Sequence, residues 1–204
     1  SEFRVSIEEM DRALEGLPKR LREAMEISIN NIRKFHERQS ELESWEMEIS
    51  PGIIAGEKTI PIASVGLYVP RGKGSFPSMM MMAGVPAKVA GVKRIVVATP
   101  PDRNGKADAA TIAAARLIGI DEIYSVGGAQ AVAALAFGTH TIPRVDKIVG
   151  PGSGYVLAAK QMLSTEVDTG LPAGPSEAII LADDSTDPTL AVTDLLIEAE
   201  HGPD

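Results

Sequence analysis

The sequence contains no cysteine. Disulfide bonds and thiolate-ligated metal sites are therefore excluded for this chain. An aldehyde oxidation that proceeds through a thiohemiacetal is excluded within the chain as well, because that chemistry needs a thiolate nucleophile. A metal ion would have to be held by imidazole or carboxylate groups instead.

The sequence also lacks basic clusters and long apolar runs. Lysine and arginine are dispersed, and the net charge is −8, so we expect no nucleic-acid partner. No apolar run approaches the ~20 residues that a membrane-spanning helix needs, and no signal-peptide pattern opens the chain. We therefore expect no membrane partner and a cytoplasmic location. Residues 1–3 are interpreted as a cloning remnant.

The hydrophobic pattern changes in character along the chain. Helical spacing with a potential cap at Ser6 predicts helices from residue 7 to residue 40, the second one beginning at Pro18. Alternation over residues 45–49 is typical of a half-buried strand, and two more short strands are predicted between residues 60 and 69.

Strand and helix patterns then alternate to the end of the chain. Further strands are predicted at 94–99, 122–126, 147–149 and 178–182, and helices at 79–90, 107–117, 129–137, 155–163 and 188–201. The strand at 94–99 is almost continuously apolar, as in a parallel sheet that is covered on both faces. The sequence therefore predicts a doubly wound α/β fold.

Three glycine-rich segments follow predicted strands and could line a ligand crevice. They are Gly72-Lys-Gly, Gly127-Gly-Ala-Gln and Gly150-Pro-Gly-Ser-Gly. Loops of this kind present free N–H groups and a helix dipole to a phosphate or nucleotide. None of them matches the G-x-G-x-x-G pattern, so each can also be explained as a tight turn.

The last predicted helix carries Asp194, Glu198 and His201 at positions i, i+4 and i+7. This spacing places two carboxylates and an imidazole on one helix face, where a carboxylate and an imidazole can ligate a divalent metal. The alternative is a solvated helix end at which the helix dipole favours the histidine.

Five motifs in order along the chain resemble histidinol dehydrogenase. They are Val65-Gly-Leu-Tyr-Val-Pro, Val126-Gly-Gly-Ala-Gln-Ala-Val-Ala-Ala-Leu-Ala-Phe-Gly, Val145-Asp-Lys-Ile-Val-Gly-Pro-Gly, Pro172-Ala-Gly-Pro-Ser-Glu and Ala199-Glu-His-Gly-Pro-Asp. The resemblance runs from about Val5 to the last residue. It implies NAD-dependent, two-step oxidation of L-histidinol to L-histidine in histidine biosynthesis, with zinc holding the substrate and a homodimeric protein.

The resemblance also implies roles for individual residues. Tyr68, Gln130 and Ser153 would contact NAD, Ser176 would contact the substrate, and Glu198 and His201 would bind both Zn²⁺ and substrate. Two of these positions depart from the family pattern, since Glu198 stands where glutamine is expected and Ser153 where asparagine is expected.

The resemblance further implies a Rossmann-like parallel sheet flanked by helices over residues 68–177. Residues 4–67, an N-terminal helical arm with the first strands, and the return segment 178–204 would be parts of a second α/β domain. The chain covers about half of a typical member, and the family's catalytic base and remaining metal ligands would lie beyond Asp204. We therefore expect a truncated, inactive fragment without catalytic residues of its own.

Two other functions remain open from the sequence. One is a non-enzymatic module that binds a nucleotide or a partner chain through the crevice and the helical arm. The other is a related zinc- and NAD-dependent alcohol dehydrogenase that acts on a different amino alcohol or on a sulfonated alcohol, an alternative kept open by Glu198.

Overall fold

The structure, a computed structural model, describes residues 3–41, 44–71, 74–173 and 177–197. The strands in these residues are β1 Trp45–Ser50, β2 Ile53–Glu57, β3 Ser64–Tyr68, β4 Arg94–Thr99, β5 Ile123–Ser125 and β6 Lys147–Val149. The helices are α1 Ile7–Glu15, α2 Lys19–Gln39, α3 Pro77–Val89, α4 Ala109–Ile118, α5 Gly128–Phe137, α6 Gly154–Met162 and α7 Pro188–Leu195.

A parallel sheet of four strands, in the order β5-β4-β3-β6, forms the centre of the fold. Alternate residues of β4 point into two apolar clusters, with Ile95 and Val97 in one cluster and Val96 and Ala98 in the other. Helices α3 and α4 contribute to the first cluster, and α5 and α6 to the second. The Rossmann-like parallel sheet flanked by helices is thereby confirmed.

The N-terminal segment packs onto the same sheet and helices. Val5 N–H donates to Ile123 O at 2.9 Å, which adds an antiparallel bridge at the outer edge of β5. Helix α1 contacts α4, where Arg116 Nε donates to the Asp11 carboxylate at 2.6 Å. Met10 and Met25 are fully buried. The helical arm therefore shares a hydrophobic core with α3 and α4, while the wider division of the chain into two domains stays a prediction.

Capping residues explain where two of the predicted helices begin. Ser6 accepts a hydrogen bond from Glu9 N–H at the start of α1, as the sequence predicts. Asp108 accepts from Thr111 N–H at 2.8 Å at the start of α4. Helix α4 ends at Gly119 in the left-handed conformation, where glycine carries no steric cost.

The predictions for residues 43–69 need correction. Residues 45–49 do form a strand, but every residue of β1 is exposed rather than half-buried. Its partner is β2, which the sequence pattern did not predict, and the two form an isolated antiparallel pair. A second layer that would bury one face of this pair is absent from the described residues. One strand, β3, stands where two were predicted between residues 60 and 69.

The predicted strand at 178–182 is also wrong. These residues have no regular secondary structure, and Ile179 and Leu181 are 93% and 99% exposed. A strand exists only where another strand completes its hydrogen-bond ladder, and no described segment pairs with this one. Helix α7 begins at Pro188 as predicted, and no helix of the described residues has the length and apolar character needed to cross a membrane.

Candidate functional site

The candidate site lies at the carboxyl end of the parallel sheet, where the chain changes direction. From β3 the chain continues to β4 and β5 on one side, and it then returns to β6 on the other side. The gap between β3 and β6 is therefore a topological switch point, the usual place of the ligand crevice in an open α/β sheet. Tyr68 is the last residue of β3, and Gly150 directly follows β6.

Tyr68 links the end of β3 to the start of α5. Its hydroxyl oxygen accepts a hydrogen bond from Gly128 N–H at 3.0 Å. Tyr68 is only 3% exposed, and burial raises the pKa of its phenol, although the hydrogen bond from Gly128 opposes the shift. The hydroxyl therefore stays protonated at neutral pH. No acceptor among the described residues takes its proton, so it can donate to a ligand.

Gln130 lies in the first turn of α5, beside this hydrogen bond. Gly128 has a φ of +73°, and a Cβ atom built on it would lie 2.8 Å from Gln130 Oε1. The carboxamide of Gln130 is thus folded over the glycine while the residue remains exposed. The structure therefore brings Tyr68 and Gln130, two of the predicted NAD contacts, to the same point.

The loop after β6 packs directly on β3. Gly150 has a φ of +122°, and a Cβ atom there would lie 2.0 Å from the carbonyl oxygen of Tyr68. Only glycine permits this approach. Ser153, the third predicted NAD contact, is three residues farther along and precedes α6. Its side chain is exposed and makes no capping hydrogen bond, so the hydroxyl is available to a ligand.

Lys160 was not predicted to contribute to the site. It lies on α6, is 3% exposed, and donates from Nζ to the carbonyl oxygen of Gly150 at 3.1 Å. Burial lowers the pKa of its ammonium group. A signal is present in the sequence, since Lys160 follows the buried Val156 by four residues and so falls on the apolar face of α6.

The glycine-rich segment Gly72-Lys-Gly lies only partly within the described residues, because Gly72 and Lys73 fall outside them. The segment on either side is tied to the β4–α4 loop. Arg71 Nη1 donates to the carbonyl oxygen of Lys106 at 3.0 Å, and Ser75 Oγ donates to Asp108 Oδ2 at 2.6 Å. These bonds hold the loop after β3 next to the loop after β4.

The predicted substrate and metal residues cannot be located in the same way. Ser176, Glu198 and His201 all lie outside the described residues. Asp194 is within α7 and exposed. Within the ranges that the structure describes, no three histidine or acidic side chains form a group that could hold a metal ion. The predicted metal site therefore lies outside the part of the chain that the structure describes.

A cavity of about 740 Å³ lies elsewhere, on the face of β3 that carries Val65 and Leu67. Its walls are mainly α3, the end of α2 and residues 59–62. The lining is largely aliphatic, and none of the predicted ligand contacts belongs to it. We therefore place the candidate site at the switch point, where backbone N–H groups, a phenol and a carboxamide meet.

Comparison with known proteins identifies the family of the chain. A protein-family model described as Histidinol dehydrogenase matches residues 1–204. Histidinol dehydrogenase of Synechocystis sp. is 56% identical over 202 residues, which cover 99% of this chain and 46% of that protein. Histidinol dehydrogenase homolog 2 of Mesorhizobium japonicum is 57% identical over 202 residues, with the same two coverages.

A solved structure agrees with the sequence matches. The crystal structure of histidinol dehydrogenase from Elizabethkingia anophelis matches with a TM-score of 0.90 at 41% identity, and the match covers 98% of this chain and 46% of that one. The chain spans about half the length of the curated relatives it matches. The two alternative functions left open by the sequence are not favoured by these matches. Together, the family model, the relatives and the solved structure show that the chain belongs to the histidinol dehydrogenase family, a family of oxidoreductases.

Proposed function

We propose that the intact protein containing these residues oxidises L-histidinol to L-histidine, in two hydride transfers to NAD, and that this chain supplies the nucleotide crevice. The observation that carries the proposal is the convergence of Tyr68, Gln130 and the loop 150–153 at the switch point of the sheet. Family membership indicates the reaction, and the crevice fits a dinucleotide cofactor.

The described residues fit NAD because they offer hydrogen-bond donors around a gap that glycine keeps open. The Tyr68 hydroxyl has a free proton, Gln130 offers a carboxamide, and Ser153 offers a hydroxyl. The N-cap residues of α5 and α6, Gly127 and Ser153, make no side-chain capping hydrogen bond. Apart from Gly128 N–H, which donates to Tyr68, the first N–H groups of these helices and the helix dipoles favour the negative charge of a nucleotide.

The chemistry of the cofactor determines what the chain has to do. Bound NAD would supply a hydride acceptor for each of the two oxidations, one molecule for the alcohol and a second for the aldehyde after it has added water. The residues of this chain bind the cofactor and orient it. The Tyr68 phenol acts as a neutral hydrogen-bond donor, because burial keeps it protonated.

The substrate and metal side of the proposal rests on residues outside the described ranges. We propose that Ser176 contacts L-histidinol and that Glu198 and His201 contribute to a Zn²⁺ site, as the family resemblance implies. The zinc ion would polarise the alcohol as a Lewis acid. A cytoplasmic homodimer is proposed on the same basis.

An activity assay tests the proposal. The intact gene product, loaded with Zn²⁺, should form two NADH for each L-histidinol consumed, with L-histidine as the product. Changing Tyr68→Phe removes the hydroxyl and should raise the KM for NAD about three- to tenfold, since one hydrogen bond contributes about 1 kcal/mol. The KM for L-histidinol should be unchanged.

Tyr124→Phe is the matched control. Tyr124 is as buried as Tyr68, but its hydroxyl donates to Glu122 at 3.1 Å, away from the crevice. This variant should keep the wild-type KM for NAD. A wild-type protein that forms no NADH from L-histidinol would contradict the proposed reaction, and equal effects of the two variants would contradict the assignment of Tyr68.

A further inference from the structure

We infer that Lys160 is a positioning residue of the nucleotide site, whose ammonium group holds the carbonyl oxygen of Gly150 and so fixes the loop 150–153 against Tyr68 for the cofactor. The inference rests on the proposed function, because it assumes that NAD occupies the crevice. It assigns a role to a residue that does not itself reach the predicted ligand contacts.

The path of the side chain supports this role. Lys160 lies in the last turn of α6, and helical side chains lean towards the N-terminus of their helix. Its Nζ atom thereby reaches the carbonyl oxygen of a residue ten positions earlier, at 3.1 Å. That residue precedes the helix, so the lysine ties the end of α6 to the loop from which the helix starts.

Gly150 links the contact with Lys160 to the crevice, because it packs against Tyr68. The glycine lies against the backbone of Tyr68, where even a Cβ atom would not fit. The Tyr68 hydroxyl in turn accepts from Gly128 N–H, beside Gln130. One set of contacts therefore runs from Lys160 through Gly150 and Tyr68 to the start of α5. It includes Tyr68 itself, Gly128 beside Gln130, and the loop that carries Ser153.

A buried lysine at this position lowers the stability of the folded state. The side chain is 3% exposed, and among the described residues no carboxylate forms an ion pair with it. A single carbonyl oxygen does not recover the cost of removing an ammonium group from water. An aliphatic side chain of similar size would leave the fold equally stable or more stable. The lysine is therefore explained by the loop that it holds and by the positive charge it adds beneath that loop.

The test uses the intact protein and three variants. Lys160→Met keeps the length of the side chain but loses the donor, Lys160→Arg keeps a cationic donor, and Lys88→Met removes an exposed lysine from α3 as a control for net charge. The dissociation constant for NAD is measured by calorimetry, and the melting temperature is measured separately. Hydrogen exchange of residues 150–157 is followed without NAD.

Lys160→Met should weaken NAD binding roughly tenfold or more, as expected for a lost hydrogen bond to a charged group. Its melting temperature should be equal to that of the wild type or higher, and exchange should become faster in residues 150–157 but not in β3 and β4. Lys160→Arg should recover part of the affinity, and Lys88→Met should behave as the wild type.

The other outcomes show whether the inference alone fails or the proposed function fails as well. If the wild type binds NAD and Lys160→Met binds it equally well, the inference is overturned and the proposed function stands. If Lys160→Met fails to fold or melts at a lower temperature, with faster exchange across the whole sheet, Lys160 has a structural role and the inference is also overturned. A wild type that does not bind NAD overturns the proposed function, and the inference with it.

Discussion

At the scale of single residues, two glycines determine how closely the loops of the site can approach each other. Gly128 allows the Gln130 carboxamide to fold over the start of α5, and Gly150 allows the loop after β6 to touch the backbone of Tyr68. Both have positive φ angles that other residues rarely adopt. The predicted ligand contacts therefore depend on neighbours that carry no side chain.

Gly150→Ala should destabilise the protein, because the new Cβ atom would lie 2.0 Å from the Tyr68 carbonyl oxygen in a backbone conformation that alanine disfavours. We expect the free energy of unfolding to fall by about 2 kcal/mol or more. Gly154→Ala is the control, since nothing lies within 4 Å of a Cβ atom there and the residue begins α6. It should be neutral or slightly stabilising. Urea denaturation measures both, and similar losses in the two variants would contradict this account.

The sequence suggests candidate ligand contacts more readily than the residues that support them. Tyr68, Gln130 and Ser153 are predicted contacts because the family resemblance implies them, and their role stays a prediction. Lys160 was missed because a lysine in a helix is usually solvated, and its burial depends on where α6 packs. The contact between Gly150 and Tyr68 joins residues that are distant in sequence, and it follows from the pairing of β6 with β3.

At the scale of elements, the sheet is held at both ends by side chains. At the amino end, the Arg94 guanidinium makes two hydrogen bonds to the Glu122 carboxylate, at 2.9 and 2.8 Å, and so joins the start of β4 to the residue before β5. This contact holds the pKa of Glu122 below its usual value of 4.5. The carboxyl end, which forms the crevice, is held instead by the network around Tyr68.

The lowered pKa of Glu122 makes part of the stability dependent on pH. The folded state favours the carboxylate, so the contribution is present above the ordinary pKa of 4.5 and is lost as the pH falls through the lower pKa of the folded state. Glu122→Gln should cost about 1 kcal/mol at pH 7, because the ion pair is partly exposed. It should also reduce the loss of stability between about pH 5 and pH 3.

Denaturant unfolding at several pH values tests this prediction. Glu23→Gln is the control, because Glu23 forms only an exposed pair with Lys19 at 3.8 Å. That variant should follow the wild-type pH dependence. The role of the β4–β5 contact is refuted if Glu122→Gln keeps the full acid-induced loss of stability.

Element prediction succeeded where the local pattern and the packing agree. Strand β4 is almost fully apolar and lies in the middle of the sheet, and α4 begins at a capping aspartate. It failed at 178–182, where the residues favour a strand but no described partner completes the ladder. Periodicity describes one segment, whereas a strand also needs a neighbour that the segment itself does not reveal.

At the scale of the whole molecule, apolar surface is unevenly distributed. The sheet and helices α3 to α6 enclose two well-packed clusters. In contrast, β1, β2 and α7 contain no buried residue, and α7 exposes Leu190, Val192 and Leu195. Exposed apolar surface of this kind is typical of a region that contacts another part of a protein.

Hydrogen exchange should distinguish a strongly protected and a weakly protected region in the 204-residue chain. Amides of β3 and β4 should be strongly protected, because they are buried and hydrogen-bonded on both sides. Amides of residues 177–187 should exchange rapidly, since few of them have backbone partners, and the exposed helix α7 should be only weakly protected. Mass spectrometry of peptides from the two regions tests this division, and strong protection of residues 178–182 in the chain on its own would contradict it.

The proposed NAD site lies at the carboxyl end of the sheet, between β3 and β6. An NMR titration of the 204-residue protein with NAD tests it most directly. We expect shifts of the amide signals of Tyr68, Gly128, Gln130 and Ser153, and unchanged signals of His36 and Ile62 in the aliphatic cavity. Shifts confined to that cavity, or no shifts at NAD concentrations in the millimolar range, would contradict it.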